Sequence, residues 1–301
     1  GRDTTPELAK RGVMSWRDVR SCGTSTLASL PCMFSPLGKS GFESRSAEYE
    51  NLLDVAQAAG LAVLWLDNQS GCKGVCDRVP HAAASEGLGE QVRAGLCDGG
   101  ECRDEAMLHG LDARLAAMPA ALRDRGVLLV LHQMGSHGPA YYKRSTGAAK
   151  RFMPECRTEV LADCAHGELV NAYDNSIAAT DIFLGKTIDW LREKGARYDT
   201  GMLYLSDHGE SLGEYGLFLH GMPYGMAPDV QKHVPMVAWL DDALLRRERL
   251  SAACLRAGAD ARLTHDNLYH TMLGLLDVRS PSYRRPLDAF DGCRGAALDF
   301  K

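Results

Sequence analysis

Hydrophobic residues gather into five short continuous runs along the 301-residue chain. Such runs lack the apolar and polar alternation of half-exposed strands, and are typical of strands buried on both faces of a sheet. They lie at 14–19, 61–68, 126–134, 201–209 and 234–240. We therefore predict five buried strands.

Segments with helical patterns separate these runs. The segment 46–60 ends in Gly60, which is typical of a helix C-terminus. The longest segment, 169–195, repeats apolar residues at helical spacing, and 265–278 closes the series. Strands that alternate with helices indicate an α/β fold whose mostly parallel sheet is covered on both faces. We expect one domain over 1–301.

The charge balance indicates which class of binding partner is not expected. The chain has 34 Lys+Arg against 39 Asp+Glu, a formal net charge of −5, without a long run of either sign. Because nucleic-acid binding needs a concentrated basic face, nucleic acid is not an expected partner. No stretch approaches 18 consecutive apolar residues, so no membrane span is predicted. The polar start GRDTTPELAKRG lacks a signal-peptide core, and we expect the chain to be a segment of a longer protein.

Ten cysteines add information about the compartment. Their even number and local pairing predict disulfides, and hence an oxidising compartment. The alternative is zinc binding by the Cys-x3-Cys pair, although no second pair or histidine lies at finger-like spacing. A bond between the two remaining cysteines, Cys254 and Cys293, is a further expectation. The close pairs are Cys22 and Cys32, Cys72 and Cys76, Cys97 and Cys102, and Cys156 and Cys164.

Polar motifs follow two of the apolar runs, and a third lies in the next loop. LHQMGSHGP carries His137, LSDHGES carries Asp207, His208 and Glu210, and FLHGMP carries His220. Ligands of open parallel sheets bind beyond the carboxyl ends of the strands, so these side chains can converge in one crevice. Together with a threonine hydroxyl they are the oxygen and nitrogen donors that Zn²⁺ accepts.

Each motif also has a structural explanation. SDHG could be a simple turn, with the aspartate capping a helix and the glycine at positive φ. Single histidines such as His137 and His220 are often structural, and the hydroxyls of Thr24 and Thr26 in SCGTSTLASLPC could merely cap a helix. The other histidines without a partner motif are predicted to be surface or core residues: His81, His109, His166, His233, His265 and His270.

Taken together, SCGTSTLASLPCMF, DNQSGCKGVCDRVP, HQMGSHGPAYYKR, NAYDNSIAATD, SDHGESLGE and LHGMP resemble the lipid A phosphoethanolamine transferases. This group contains the mobile colistin-resistance enzymes and belongs to the alkaline phosphatase and sulfatase superfamily. The similarity runs over nearly the whole chain. It implies an α/β/α sandwich, a single periplasmic catalytic domain at the inner membrane of a Gram-negative cell.

The resemblance also implies roles for individual residues. Thr26 would be the nucleophile and a zinc ligand, and Asp207 and His208 would bind the same zinc ion. His137 and His220 would act near the phosphoryl group or hold a second zinc. Three further residues would contact the substrate: the basic Lys73, the polar Gln69 and the acidic Glu210. In relatives, the position of Gln69 carries Asn or Asp.

A further zinc ligand of the family is a Glu in a Gly-Glu-Thr motif, which the resemblance places before GRDTTP. The strand that carries this Glu and the N-terminal membrane domain would also precede Gly1. The implied reaction moves phosphoethanolamine from phosphatidylethanolamine to a lipid A phosphate in a monomeric enzyme, and confers polymyxin resistance. Two alternatives remain at this point: a hydrolase of the same superfamily, and a non-catalytic disulfide-rich domain that binds lipid headgroups.

Overall fold

The helices and strands come from a computed structural model that describes residues 2–295. The helices of this part of the chain are α1 (Pro6–Lys10), α2 (Thr26–Met33), α3 (Gly38–Glu43), α4 (Leu52–Ala58), α5 (Glu90–Leu96), α6 (Leu111–Ala117), α7 (Ala120–Arg123), α8 (His166–Lys194), α9 (Asp242–Arg247), α10 (Ala252–Ala257) and α11 (Asp266–Leu275). Among the described residues, no helix combines the length and the hydrophobicity needed to cross a bilayer.

The strands of the same residues are β1 (Met14–Trp16), β2 (Asp18–Arg20), β3 (Ala62–Asp67), β4 (His81–Ala83), β5 (Cys97–Asp98), β6 (Glu101–Cys102), β7 (Val127–His132), β8 (Gly201–Leu205), β9 (Ser211–Leu212), β10 (Phe218–Leu219), β11 (Met236–Leu240) and β12 (Arg262–Thr264).

The chain divides into two compact units. The first comprises Gly1–Arg11, Gly60–Thr187 and Glu210–Met222, and the second comprises Gly12–Ala59, Ile188–Gly209 and Pro223–Lys301. The expectation of one domain stays a prediction.

The first unit contains a parallel sheet in the order β4, β3, β7. Five of the six β3 residues are buried, as expected for a strand covered on both faces. Asp67 pairs with His132 at the end of β3 and β7, so the loops that follow leave from the same edge. A separate core forms around Tyr141, where Leu161 and Leu169 pack.

The second unit holds a sheet in the order β1, β11, β8, and both of its strand pairs are antiparallel. The apolar runs predict the strands but not this direction, because direction depends on how the chain returns to the sheet. A large core covers it, in which the rings of Trp16 and Phe290 stack with centroids 5.3 Å apart. The α/β class is confirmed.

Two predicted elements differ in detail. The run 14–19 forms two strands, because the Arg17 N–H donates to the Ala259 carbonyl at 2.9 Å and interrupts the ladder. After this break, β2 pairs in parallel with β12. The predicted helix 46–60 begins only at Leu52, since Asn51 and Asp54 form a capping box that sets the first turn.

All four disulfides predicted from the close pairs are present, and the further expected bond between Cys254 and Cys293 is confirmed as well. Four of these bridges close short segments, with sequence separations of 10, 4, 5 and 8 residues. They therefore hold local loops in place, which matters most for the segments that carry site residues.

Candidate active site

In the second unit, Thr26 is the first residue of α2 and is 7% exposed. The disulfide between Cys22 and Cys32 ties the loop before this helix to its last turn. The loop lies so close to the helix that a Cβ on Gly23 would be 2.6 Å from the Cβ of Ala28. The hydroxyl of Thr26 is therefore held in a defined position rather than on a mobile loop.

Asp207 and His208 follow β8 in the same unit. Thr26 Oγ1 lies 3.4 Å from His208 Nε2, and the same nitrogen lies 3.7 Å from Asp207 Oδ2. The Gly209 carbonyl lies 3.0 Å from His208 Nδ1. Because a carbonyl can only accept, Nδ1 carries the proton and Nε2 carries the lone pair that faces Thr26.

These separations fit a bound zinc ion. Four ligands placed tetrahedrally at zinc–ligand distances of about 2.0–2.1 Å lie about 3.3–3.4 Å from one another. A hydroxyl oxygen, a carboxylate oxygen and an imidazole nitrogen at 3.4 and 3.7 Å are close to that spacing. The residues present can therefore supply three ligand atoms for zinc.

His265 connects the two segments that bring these ligands together. Its Nδ1 accepts the Cys22 N–H at 2.9 Å, and its Nε2 donates to the Ser206 carbonyl at 2.9 Å. The side chain is fully buried, and burial lowers its pKa to about 4, so the ring is neutral at pH 7. It therefore fixes the start of the Thr26 loop against the residue before Asp207.

In the first unit, the buried Glu210 and Tyr141 and the half-buried His220 form a hydrogen-bonded chain. His220 Nδ1 lies 2.7 Å from Glu210 Oε1, and the Tyr141 hydroxyl donates to Glu210 Oε2 at 2.5 Å. Burial, and then the charge of Glu210, raises the pKa of Tyr141 far above its usual value, so the hydroxyl remains a donor. A carboxylate paired in this way orients the imidazole and fixes its tautomer.

His137 lies beside this chain in the same unit. Its ring centroid is 4.8 Å from that of His220, with the planes inclined at 67°. The Gly138 carbonyl lies 2.6 Å from His137 Nδ1, which assigns the proton to Nδ1 as in His220. Two imidazoles with their lone pairs on Nε2 can bind a metal ion, and with a proton on Nε2 they can donate to a phosphoryl oxygen.

Lys73 and Gln69 belong to the loop after β3, also in the first unit. Lys73 has a φ of 51° and donates through Nζ to the carbonyl and hydroxyl of Ser70 at 2.6 and 2.8 Å. Asp67 shapes the loop by accepting the backbone N–H groups of Gln69 and Gly71 at 2.9 and 3.1 Å.

Asp67 remains ionised in this position. Burial acts to raise its pKa, but hydrogen bonds from His132 and Trp65 outweigh that effect and lower the pKa to about 2. These two donors lie 2.8 and 3.0 Å from Asp67 Oδ2. The loop that carries Lys73 is thus anchored to a permanent negative charge at the end of β3.

Comparison with known proteins identifies the family. The sulfatase family profile matches residues 1–278. Phosphoethanolamine transferase EptA of Salmonella typhimurium is 44% identical over 295 residues, 97% of this chain and 52% of that protein. Phosphatidylethanolamine transferase Mcr-1 of Escherichia coli is 44% identical over 282 residues, 92% of this chain and 50% of that protein. The chain spans about half the length of the curated relatives it matches.

A solved structure agrees over the whole fold. The soluble domain of lipooligosaccharide phosphoethanolamine transferase A from Neisseria meningitidis is 40% identical with a TM-score of 0.88, covering 98% of this chain and 87% of that one. The chain belongs to the phosphoethanolamine transferase branch of the sulfatase family. A Vibrio parahaemolyticus protein of the alkaline phosphatase superfamily shares the fold at a TM-score of 0.61 and 12% identity.

In this member of the phosphoethanolamine transferase branch, the predicted site residues come together within each unit. Thr26, Asp207 and His208 come together in the second unit, and three more come together in the first: His137, Glu210 and His220.

The sequence motifs do not reveal two residues that fix the site residues in place. His265 was expected only to be a surface or core residue, and it is a core residue that also bridges two site segments. Tyr141 lies in the motif HQMGSHGPAYYKR, but a tyrosine has no spacing rule that would reveal its contact with Glu210 across 69 residues. Only the folded chain brings these partners together.

Proposed function

We propose that this chain is the catalytic part of a zinc-dependent enzyme that transfers phosphoethanolamine from phosphatidylethanolamine to a phosphate of lipid A. The observation that carries the proposal is the group formed by Thr26, Asp207 and His208, with a clamped hydroxyl 3.4 Å from an imidazole nitrogen. The donor is supported by relatives named for phosphoethanolamine and phosphatidylethanolamine. The acceptor is supported by the lipooligosaccharide transferase from Neisseria meningitidis.

Thr26 Oγ1, Asp207 and His208 Nε2 would hold the zinc ion. Bound there, zinc would lower the pKa of the Thr26 hydroxyl, as it lowers that of water from 15.7 to about 7. A second zinc held by His137 and His220 is the alternative to the roles given to these two residues below. It is supported by the shared tautomer of the two rings.

The chemistry then takes two steps. The Thr26 oxygen attacks the phosphorus of phosphatidylethanolamine, and the bond from phosphorus to the diacylglycerol oxygen breaks. Diacylglycerol leaves with a proton, and phosphoethanolamine stays on Thr26. A phosphate oxygen of lipid A next attacks the same phosphorus, the bond to Thr26 breaks, and the hydroxyl is restored.

The first-unit residues would serve these steps. His220, paired with Glu210, is suited to give the proton to the leaving oxygen and to regain it later. Lys73 and Gln69 would bind the phosphate oxygens and stabilise their charge in the transition state, and His137 would do so with a proton on Nε2. These roles follow from the family resemblance and the hydrogen bonds described above.

The cellular setting is part of the proposal. Five disulfides support an oxidising compartment, and we place the chain at the periplasmic face of a Gram-negative inner membrane. It would act there as a monomer on lipid substrates, without nucleic acid as a partner. Transfer of a positively charged ethanolamine to lipid A would reduce the binding of polymyxins and so confer resistance to colistin.

The decisive experiment compares Thr26→Ala with Thr24→Ala, the same change two positions earlier in the same clamped loop. After incubation with phosphatidylethanolamine vesicles, mass spectrometry of the intact protein should show one phosphoethanolamine group on wild type and Thr24→Ala, and none on Thr26→Ala. An adduct on another residue would refute the nucleophile assignment. Loss of the adduct without added lipid A would instead indicate a hydrolase.

Zinc content gives an independent test. Asp207→Asn should lose bound zinc, whereas Asp260→Asn, which alters an exposed ion pair with Arg17 in the same unit, should retain it. Equal zinc in both variants would place the metal elsewhere. Absence of zinc from wild type as well would contradict the zinc-dependent proposal for this chain.

A further inference from the structure

In the first unit, a short segment outside the motifs contacts two loops of the site. The Lys73 loop (68–74) follows β3, and the His137 loop (133–138) follows β7. Their strands are neighbours, and the Asn68 N–H donates to the His132 carbonyl at 2.8 Å where the ladder ends. Beyond this bond the two loops depart from the sheet.

Asp104 joins the two loops beyond the ladder. Its Oδ1 accepts from Asn68 Nδ2 and from the Met134 N–H, each at 2.8 Å. Its Oδ2 accepts the Gly135 N–H at 2.9 Å. Gly135 has a φ of 56°, a left-handed conformation that turns the His137 loop toward this carboxylate. The Asp104 carboxylate thus accepts three hydrogen bonds from N–H groups of the two loops.

The segment around Asp104 is itself held in place. The disulfide between Cys97 and Cys102 closes the hairpin that precedes it, and the Cys102 carbonyl accepts a second bond from Asn68 Nδ2 at 2.8 Å. On the other side, Arg144 donates to Glu101 Oε2 at 2.8 Å and to the His137 carbonyl at 3.0 Å. The hairpin therefore contacts both loops through more than one bond.

From these contacts we infer that Asp104 is a positioning residue, which sets the separation between the Lys73 loop and the His137 loop. It does not touch the reacting groups: Asn68 is five residues before Lys73, and Gly135 is two residues before His137. A carboxylate suits this task because all three of its partners are donors. An amide at the same position would point its NH₂ group at one of those N–H groups. The inference rests on the proposed function for the roles of Lys73 and His137.

The test compares Asp104→Asn with Glu105→Gln, the matched change at the next residue. Glu105 forms ion pairs with the half-buried Arg103 and the exposed Lys186, at 4.0 and 3.7 Å. Loss of a hydrogen bond to a charged group corresponds to roughly a tenfold to hundredfold effect. We expect Asp104→Asn to lower kcat by at least tenfold with a smaller change in KM, because misplaced groups are felt in the transition state. Glu105→Gln should remain within about twofold of wild type.

Hydrogen exchange supplies a readout that does not need activity. In Asp104→Asn, the amides of 68–74 and 133–138 should exchange at least about tenfold faster, while the rest of the chain is unchanged. Asn68→Ala removes only one partner and should speed exchange in 68–74 alone. This second variant keeps the inference testable if Asp104→Asn folds poorly.

These measurements decide whether Asp104 is a positioning residue. If Asp104→Asn has the same hydrogen exchange and the same kcat as Glu105→Gln, the inference is overturned. Faster exchange throughout the chain, with lower thermal stability, would also overturn it, because Asp104 would then be a general structural residue. If wild type transfers no phosphoethanolamine, the proposed function fails, whereas the exchange pattern still shows whether Asp104 holds the two loops.

Discussion

The buried imidazole of His265 makes the stability of this protein depend on pH in a way that a single substitution should remove. Both ring nitrogens are in use, with Nδ1 accepting from Cys22 and Nε2 donating to Ser206. A protonated ring could not accept the Cys22 N–H, and burial lowers the pKa to about 4. Gln at this position can still accept and donate, but it cannot take up a proton.

The size of the effect follows from the two pKa values. The unfolded chain binds a proton at about pH 6.5, the folded chain only at about 4. The stabilisation is therefore complete above pH 6.5 and is lost as the pH falls toward 4, at about 1.4 kcal/mol for each pH unit. Integration gives a loss of about 2 kcal/mol at pH 5 and about 3 kcal/mol at pH 4.

Urea unfolding of the metal-free, disulfide-intact chain at pH 7, 5 and 4 measures this directly. The free energy of unfolding of wild type should fall relative to His265→Gln by the amounts given above. The exposed His109→Gln variant should follow wild type at every pH. A difference between wild type and His265→Gln that stays constant from pH 7 to pH 4, or grows in favour of wild type as the pH falls, would refute the reasoning.

Two further predictions concern the site segments. A Cβ at position 209 would lie 1.9 Å from the Val230 carbonyl oxygen, so Gly209→Ala should displace the loop with the proposed zinc ligands Asp207 and His208 and lower both zinc content and melting temperature. Gly225→Ala, in open space, should leave both unchanged, and equal effects would contradict the steric argument. Tyr141→Phe removes the 2.5 Å hydrogen bond to the Glu210 carboxylate. It should lower the kcat of phosphoethanolamine transfer by roughly tenfold. Tyr142→Phe is its control in the same assay, and equal rates for the two variants would show that the bond does not affect catalysis.

Features that depend on neighbouring residues could be predicted from the sequence. Continuous apolar runs located β3, β7, β8 and β11. β3 and β11 are buried as expected for such runs, whereas β7 and β8 are mostly half-exposed, so the prediction that they are buried is wrong for these two strands. The close cysteine pairs predicted four disulfides, since a short loop brings its own ends together. The motif SDHGES placed two ligand candidates side by side, as neighbours in the chain must be.

Features that depend on partners far apart in the chain were decided only by the tertiary structure. The antiparallel direction of β11 and the division of 14–19 into two strands depend on which segment returns beside each strand. Thr26 meets His208 across 182 residues, and Cys22 meets His265 across 243. Nothing in the local pattern distinguishes His265 from a histidine that merely fills the core. Such contacts arise because packing of whole elements sets which distant polar groups are buried together and must satisfy one another's hydrogen bonds.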